Sequence, residues 1–322
     1  MSVDVALASE PFRTAAFNLL PKKTINTEIL GTNAFCNDPR FGTVKNQLLE
    51  VRDTLKLKHV RVLFAWNDQI QSSPTSKQNF SFYDDIARNI PEGVDAIVVL
   101  TGLPSWMKDP ANWRDGNPRK TFNDLWIKSV TSRYAKNSRI IGYQIWNEPN
   151  DKGNPDNKVL NFTDYPQNYV ELLAYSYSTI KKVNASKKVL TAATTAINQN
   201  FPRSINYNRK MKDAGALKYA DIWSVHYYGE QIENVLRSKG FRSFSHGFPK
   251  PFWITESGEK GTNKQLSYGR RIWPFLTKYV RGIERIYQYQ FTENTEASQT
   301  YGMRNLTKGK ELSDLYIYLR DR

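Results

Sequence analysis

Apolar and β-branched residues gather into eight short runs along the chain, at 28–34, 60–66, 96–101, 140–146, 189–193, 222–227, 252–255 and 285–291. Each has the length of a strand and is nearly continuous in apolar character, the pattern of a strand covered on both faces. Between them the spacing turns helical. Residues 43–56 and 121–135 carry it, as do 167–183, where Val170, Leu173, Tyr177 and Ile180 fall on one face; Leu312, Leu315 and Leu319 repeat it near the end of the chain. Strands alternating with helices predict a parallel sheet. The 322 residues contain no proline- or serine-rich linker, low-complexity tract or shift of composition, so the repeats predict one α/β domain, a single (β/α)8 TIM barrel over residues 26–322. Residues 1–25 read as an N-terminal extension packed on or near it. A doubly wound sheet is the competing architecture, but its usual glycine-rich phosphate loop after an early strand is not present.

Two runs finish on a glutamate. The fourth reads Tyr143-Gln144-Ile145-Trp146-Asn147-Glu148-Pro149-Asn150 and the seventh Pro251-Phe252-Trp253-Ile254-Thr255-Glu256-Ser257-Gly258. A carboxylate where a buried strand ends is costly, which suggests that its charge is wanted there. Barrels carry their functional residues at the C-terminal ends of the strands. The fourth and seventh strands stand on facing sides of an eight-membered ring. Two carboxyl groups about 5–5.5 Å apart, one protonated and one ionised, are what cleavage of a glycosidic bond with retention requires.

Other strand ends supply candidates for the same face. Arg61 lies in the second run and is placed either to aim a positive charge at Glu256 or to bond a neighbouring loop. Asn147 is placed to bond a sugar hydroxyl, with turn formation before Pro149 as the competing reading. Tyr228 or Tyr227 is placed to donate to the nucleophile. His226 is either part of the site or a structural histidine. Trp66, Trp106, Trp113 and Trp146 fall at or just after strand ends, where indoles stack on sugar rings, whereas Trp126, Trp223, Trp253 and Trp273 read as core.

Composition narrows the chemistry. A hydrophobic fraction of 39% is enough for a packed core. The single cysteine, Cys36, rules out an internal disulfide, and no two of His59, His226 and His246 have metal-ligand spacing, so no metal or cofactor is expected. Lysine and arginine exceed acidic residues by 15. The excess points either to solvated helix faces or to an anionic partner, with Lys108, Arg114 and Arg119 as candidates to line a groove for an acidic substrate. No nucleic-acid motif and no membrane-spanning apolar stretch is present, so neither partner is expected.

Trp146-Asn147-Glu148-Pro149 resembles the acid/base signature of the large clan of retaining (β/α)8 glycoside hydrolases that includes the family 5 cellulases and mannanases and the family 39 xylosidases. Trp253-Ile254-Thr255-Glu256-Ser257-Gly258 resembles the clan's nucleophile strand, and the likeness runs from Gly31-Thr32-Asn33 to Tyr301-Gly302-Met303 and the last helix. Leu103-Pro104-Ser105-Trp106 leans toward family 39. The resemblance implies Glu148 as acid/base, Glu256 as nucleophile and Asn147 as a contact to the sugar. It also implies that Arg61 corresponds to a second-strand arginine of the clan, and His226 and Tyr228 to its sixth-strand His-x-Tyr. Many members close the eighth strand with a tryptophan under the cleaved sugar; this chain reads Tyr287-Gln288-Tyr289-Gln290-Phe291, and Phe291 or Tyr289 is expected in that place.

These readings converge on a retaining β-glycoside hydrolase, endo-acting on an oligo- or polysaccharide, monomeric, and extracytoplasmic or secreted even though residues 1–23 carry no basic start followed by an apolar run. A non-catalytic carbohydrate-binding protein on the same scaffold is the alternative, although both carboxylates are retained.

Overall fold

The computed structural model describes residues 10–322. Its eight strands are β1 (Leu30–Asn33), β2 (His59–Ala65), β3 (Asp95–Thr101), β4 (Ile140–Ile145), β5 (Lys188–Leu190), β6 (Trp223–Tyr228), β7 (Phe252–Gly258) and β8 (Ile283–Gln288). They form one sheet in the order β5-β4-β3-β2-β1-β8-β7-β6. All neighbours run parallel, as β1 with β2 and β8. The two edges meet at a parallel bridge between Leu190 and Ile222. There Thr191 N donates to Ile222 O (3.1 Å) and Asp221 N to Val189 O (2.8 Å), closing the ring into the expected (β/α)8 barrel.

All eight expected runs contain a strand, and the differences lie at the ends. Trp146 leaves β4 with φ at +71°. β5 stops at Leu190 because Thr191 turns to its bridge across the seam. β8 stops at Gln288 because the donors beyond it change partners: Tyr289 N bonds Ser257 O, Gln290 N bonds Tyr301 O and Phe291 N bonds Asn33 O. β7 continues to Gly258, past the expected end, and is buried throughout.

Helices begin where the sequence supplies caps. Thr43 accepts from Asn46 N (3.2 Å) at the start of Val44–Asp53, and Ser313 from Tyr316 N (3.1 Å) at the start of Asp314–Asp321. Proline opens the helix Pro166–Val183, where Val170, Leu173 and Ile180 are buried and Tyr177 packs beside them. The stretch expected at 121–135 is helical from Pro118 to Arg133, with a π segment over Asn123–Ile127. The main core lies between strands and helices and includes Trp126, Trp223 and Trp273. A second cluster of Ile97, Leu190, Ile222, Trp253 and Tyr287 fills the barrel's own interior. All four tryptophans expected in the core are therefore there.

Residues 1–9 of the expected extension lie outside the described residues. Glu10–Leu19 is a helix. Its Phe17 is buried with the Arg271 guanidinium 5.4 Å from the ring centre, and Arg13 Nε lies 3.3 Å from Glu233 Oε1. No helix among the described residues is long and apolar enough to cross a membrane.

Candidate active site

Side chains alternate along a strand, so every second residue of β2 enters the barrel. Arg61 is one of them and is 1% exposed. It donates through Nε to Gln144 Oε1 (3.0 Å), through Nη1 to Asn33 Oδ1 (2.6 Å) and Glu256 Oε1 (2.7 Å), and through Nη2 to Asn147 Oδ1 (2.9 Å). Asn33 is itself fixed by Nδ2 donations to Thr255 O (3.1 Å) and Gln288 O (3.2 Å). One guanidinium thus ties β1, β2, β4 and β7 together beneath the mouth of the barrel.

Glu256 accepts on its second oxygen from the Tyr228 hydroxyl (2.7 Å). Burial pushes its carboxyl up, but the attraction of His226 and Arg61 and the hydrogen bonds from Tyr228 and Arg61 outweigh that, leaving it below its ordinary value. Burial, with the adjacent Glu256 charge, drives the Tyr228 hydroxyl well above its ordinary range, so it stays a donor. His226 is fully buried between the two glutamates. Its Nδ1 lies 2.9 Å from Glu148 Oε1, and its Nε2, which has no hydrogen-bond partner, lies 3.5 Å from Glu256 Oε1. One oxygen of each glutamate and a ring nitrogen all fall within 4.8 Å of one another. This is also the one group with metal-ligand geometry among the described residues, but the Arg61 cation already bonded to Glu256 disfavours a metal cation there.

Glu148 reaches this point through a strained turn. Trp146 and Glu148 both have positive φ (+71° and +45°), at a cost of roughly 1–3 kcal/mol for each non-glycine residue. The surroundings hold the turn. Trp146 N donates to Leu100 O and Glu148 N to Ala193 O, both at 2.9 Å. The buried Asn157 accepts from the Trp146 indole (2.7 Å) and donates to the carbonyls of Glu148 (2.8 Å) and Asp151 (2.9 Å).

These groups floor a cleft of about 490 Å³ lined by Phe35, Leu63, Asn147, Glu148, Asp151, Asp156, Glu256 and Tyr289, among others. Glu148, Glu256, Arg61, Asn147, His226 and Tyr228 are therefore brought together as expected. Tyr227 is not: its hydroxyl donates to Gln231 O (2.8 Å). The aromatic expectations need correction. Trp66 and Trp146 are fully buried and present no face to a ligand. Trp66 stacks on Trp126 and meets Trp106 edge-on, and the half-buried Trp106 and Trp113 are not among the residues that line the cleft. Phe291 is fully buried in the core, and Tyr289 lines the cleft instead.

None of the three candidate cations, Lys108, Arg114 and Arg119, is among the residues that line the cleft. Arg119 pairs with Glu171 (2.7 Å), and Arg114 faces Asp124 (3.8 Å). The cleft wall carries Asp151 and Asp156, and burial holds the Asp156 carboxyl above its ordinary value. Sequence reasoning missed Gln144, Asn157, Phe35 and these two aspartates, which lack a motif of their own. Asn157 was legible at most as a polar residue near the Glu148 turn.

A family model described as Cellulase (glycosyl hydrolase family 5) matches residues 21–281. No curated protein matches the sequence. Among solved structures, the chain is similar to a family 39 glycoside hydrolase from Bacteroides cellulosilyticus WH2, with a TM-score of 0.65 at 14% identity over 92% of this chain and 64% of that one. It is also similar to the GH39 enzyme from Xanthomonas axonopodis pv. citri, with a TM-score of 0.64 at 15% identity over 93% and 67%. A monomeric beta-xylosidase from Caulobacter crescentus CB15 gives 0.61 at 13% identity over 92% and 68%. The chain thus spans about two thirds of these proteins' lengths, and at such identities the likeness is one of fold. With the barrel closed and the family model covering most of the sequence, the chain belongs to glycosyl hydrolase family 5 and is a glycoside hydrolase.

Proposed function

We propose that this protein cleaves β-glycosidic bonds within an oligo- or polysaccharide by double displacement, with Glu256 as nucleophile and Glu148 as acid/base. The observation that carries the reading is the approach of the two carboxyl groups, with one oxygen of each within 4.8 Å of the other and His226 bonded to Glu148 between them. This matches a shared anomeric centre with no room for a water between the carboxylates.

The environments divide the roles. Glu256 is held ionised and oriented by Arg61 and Tyr228, as a nucleophile must be. The Glu148 side chain is 26% exposed against 10% for Glu256, so it is the one able to exchange protons with solvent. In the first step a Glu256 oxygen bonds the anomeric carbon while Glu148 gives its proton to the departing glycosidic oxygen. Glu148, left as a carboxylate by that transfer, takes a proton from water and directs the hydroxyl to the same carbon. The ester bond breaks and Glu256 leaves as carboxylate. Asn147 offers its amide NH2 to a sugar hydroxyl because its oxygen is occupied by Arg61.

Endo action is favoured by a cleft lined on both sides of the carboxylate pair, by Asp151 and Asp156 toward β4 and by Phe35 and Leu63 toward β1 and β2. The same reading takes the protein to act as a monomer outside the cytoplasm, where polymeric carbohydrate is met. The decisive test is Glu256→Ala assayed on a panel of aryl β-glycosides. Loss of about four orders of magnitude in kcat, with azide restoring turnover and giving the inverted glycosyl azide, is the expected result. Full retention of activity on the best substrate would end the role assignment. A fall in polymer viscosity ahead of reducing-end release tests endo action.

A further inference from the structure

A second cavity, of about 500 Å³, opens beside the catalytic cleft and shares Phe35 and Leu63 with it. On β2, Arg61, Leu63 and Ala65 face the same way, so the floor steps from the Glu256 ion pair through Leu63 to Ala65 at the mouth. The wall continues the same line. Tyr228, Tyr289 and Phe35 meet edge-to-face at 5.9 Å spacings, and beyond Phe35 the cavity reaches Phe82, a large ring that is 36% exposed.

The polar lining consists of Asn37, Asn67, Gln69, Asn79, Ser81 and Tyr83, whose hydroxyl donates to Ala65 O (2.7 Å), with no charged side chain. Two of the amides are fixed in orientation. Asn67 Oδ1 accepts from Gln69 N (3.0 Å) and Ile70 N (3.1 Å), and Asn79 Oδ1 from Ser81 N (3.0 Å). Their oxygens are thereby used, which leaves the NH2 groups as set donors. Nearby acids are engaged elsewhere: Asp68 accepts from Ser105 N and Oγ (2.8 and 2.9 Å), and Asp38 pairs with Arg40. An aromatic face with neutral amide donors suits the apolar C–H face and hydroxyl rim of an uncharged sugar. It gives a uronate nothing to neutralise its charge.

We infer that this cavity is a distal sugar subsite that holds an uncharged residue of the substrate chain against Phe82, making the enzyme selective for neutral β-linked oligosaccharides longer than those the catalytic cleft alone contains. The inference rests on the proposed hydrolytic reading of the neighbouring cleft and sets its substrate class.

The test compares kcat/KM on an aryl monoglycoside with that on neutral β-linked di- to hexasaccharides of the same sugar, and on the hexasaccharide oxidised to uronates at C6. The parent protein, Phe82→Ala and Phe82→Trp are compared. In the parent, kcat/KM should rise with chain length and drop on oxidation. In Phe82→Ala the ratio of long- to short-substrate efficiency should fall about tenfold through KM, and Phe82→Trp should restore it. Identical length dependence in the parent and Phe82→Ala, or preference for the oxidised chain, would overturn the subsite while leaving the catalytic reading intact. If the parent cleaves none of these substrates, the hydrolytic reading fails instead. Calorimetric titration with the neutral hexasaccharide then decides the site alone: about tenfold weaker binding by Phe82→Ala supports it, and equal binding overturns it.

Discussion

Glu256 shows how much of this site's chemistry is decided by single side chains. It is a buried carboxylate that stays ionised only because its surroundings more than offset burial. Its contribution to stability is therefore present above its unfolded value and lost as the pH falls through its lower folded value. Removing one of the lowering groups must raise that folded value. Tyr228→Phe deletes the donor at 2.7 Å while keeping the ring that packs on Tyr289 and Tyr301. The acid limb of its kcat/KM profile is expected to move to higher pH relative to the parent. An unmoved limb would show that the hydroxyl does not tune the Glu256 carboxyl. Arg61 is less replaceable, because its guanidinium serves four acceptors at once and a lysine cannot reproduce that fork.

At the scale of elements, the turn after β4 is the part most dependent on its support. Two residues with positive φ bracket Asn147, and most of the bonds that hold them come from outside the turn. Beside the backbone bonds to Leu100 and Ala193, the side-chain support comes from Asn157, in the short helix Pro155–Val159, through three hydrogen bonds. Asn157→Ala leaves the buried Trp146 indole N–H and the Asp151 carbonyl unmatched, while Glu148 O keeps Asp151 N (3.0 Å). The expected loss of stability is about 2–4 kcal/mol by denaturant titration. A fall in kcat larger than the change in KM should accompany it, since Glu148 loses its anchor rather than the substrate losing a contact. Wild-type stability in this variant would mean that Leu100 and Ala193 suffice to hold the turn.

The whole molecule separates stability from catalysis along the barrel axis. At the end opposite the cleft, Arg285 on β8 reaches across to Asp95 on β3 with two bonds of 2.6 and 2.8 Å and lies 4.3 Å over the Trp253 ring. His59 Nδ1 adds a contact to the same carboxylate at 3.0 Å. Burial raises the Asp95 carboxyl, but bonding to His59 and Arg285 lowers it further, so the network favours the charged form. Arg285→Ala leaves this half-buried carboxylate underpaired. A loss of about 2–4 kcal/mol is expected, seen as a lower Tm, with kcat/KM on aryl glycosides unchanged at temperatures where the variant is folded. The net positive charge belongs to this larger scale too. Lys136, Arg139, Lys182, Lys188 and Lys218 are exposed in or beside the loops that enter β4, β5 and β6, away from the cleft.

What the sequence by itself determined is periodic and local. The continuous apolar runs require strands buried on both sides, their alternation with helical spacing requires a parallel ring, and the glutamates closing the fourth and seventh runs bring two carboxyl groups to one mouth. Placements that depend on an approach between distant residues were decided only by the tertiary structure. Trp66 and Trp146 stand at strand ends as a ligand platform would, yet the layer of helices covers them, and no local pattern distinguishes a covered strand end from an open one. Arg61 and Glu256 are far apart in the chain, and their 2.7 Å contact exists because barrel closure fixes which strands face each other. Asn157 has no motif because its function is to satisfy a turn whose strain appears only when β4 meets its neighbours. The absence of charged side chains in the cavity beside Phe82 is likewise a property of which loops fold together, and total charge carries no information about it.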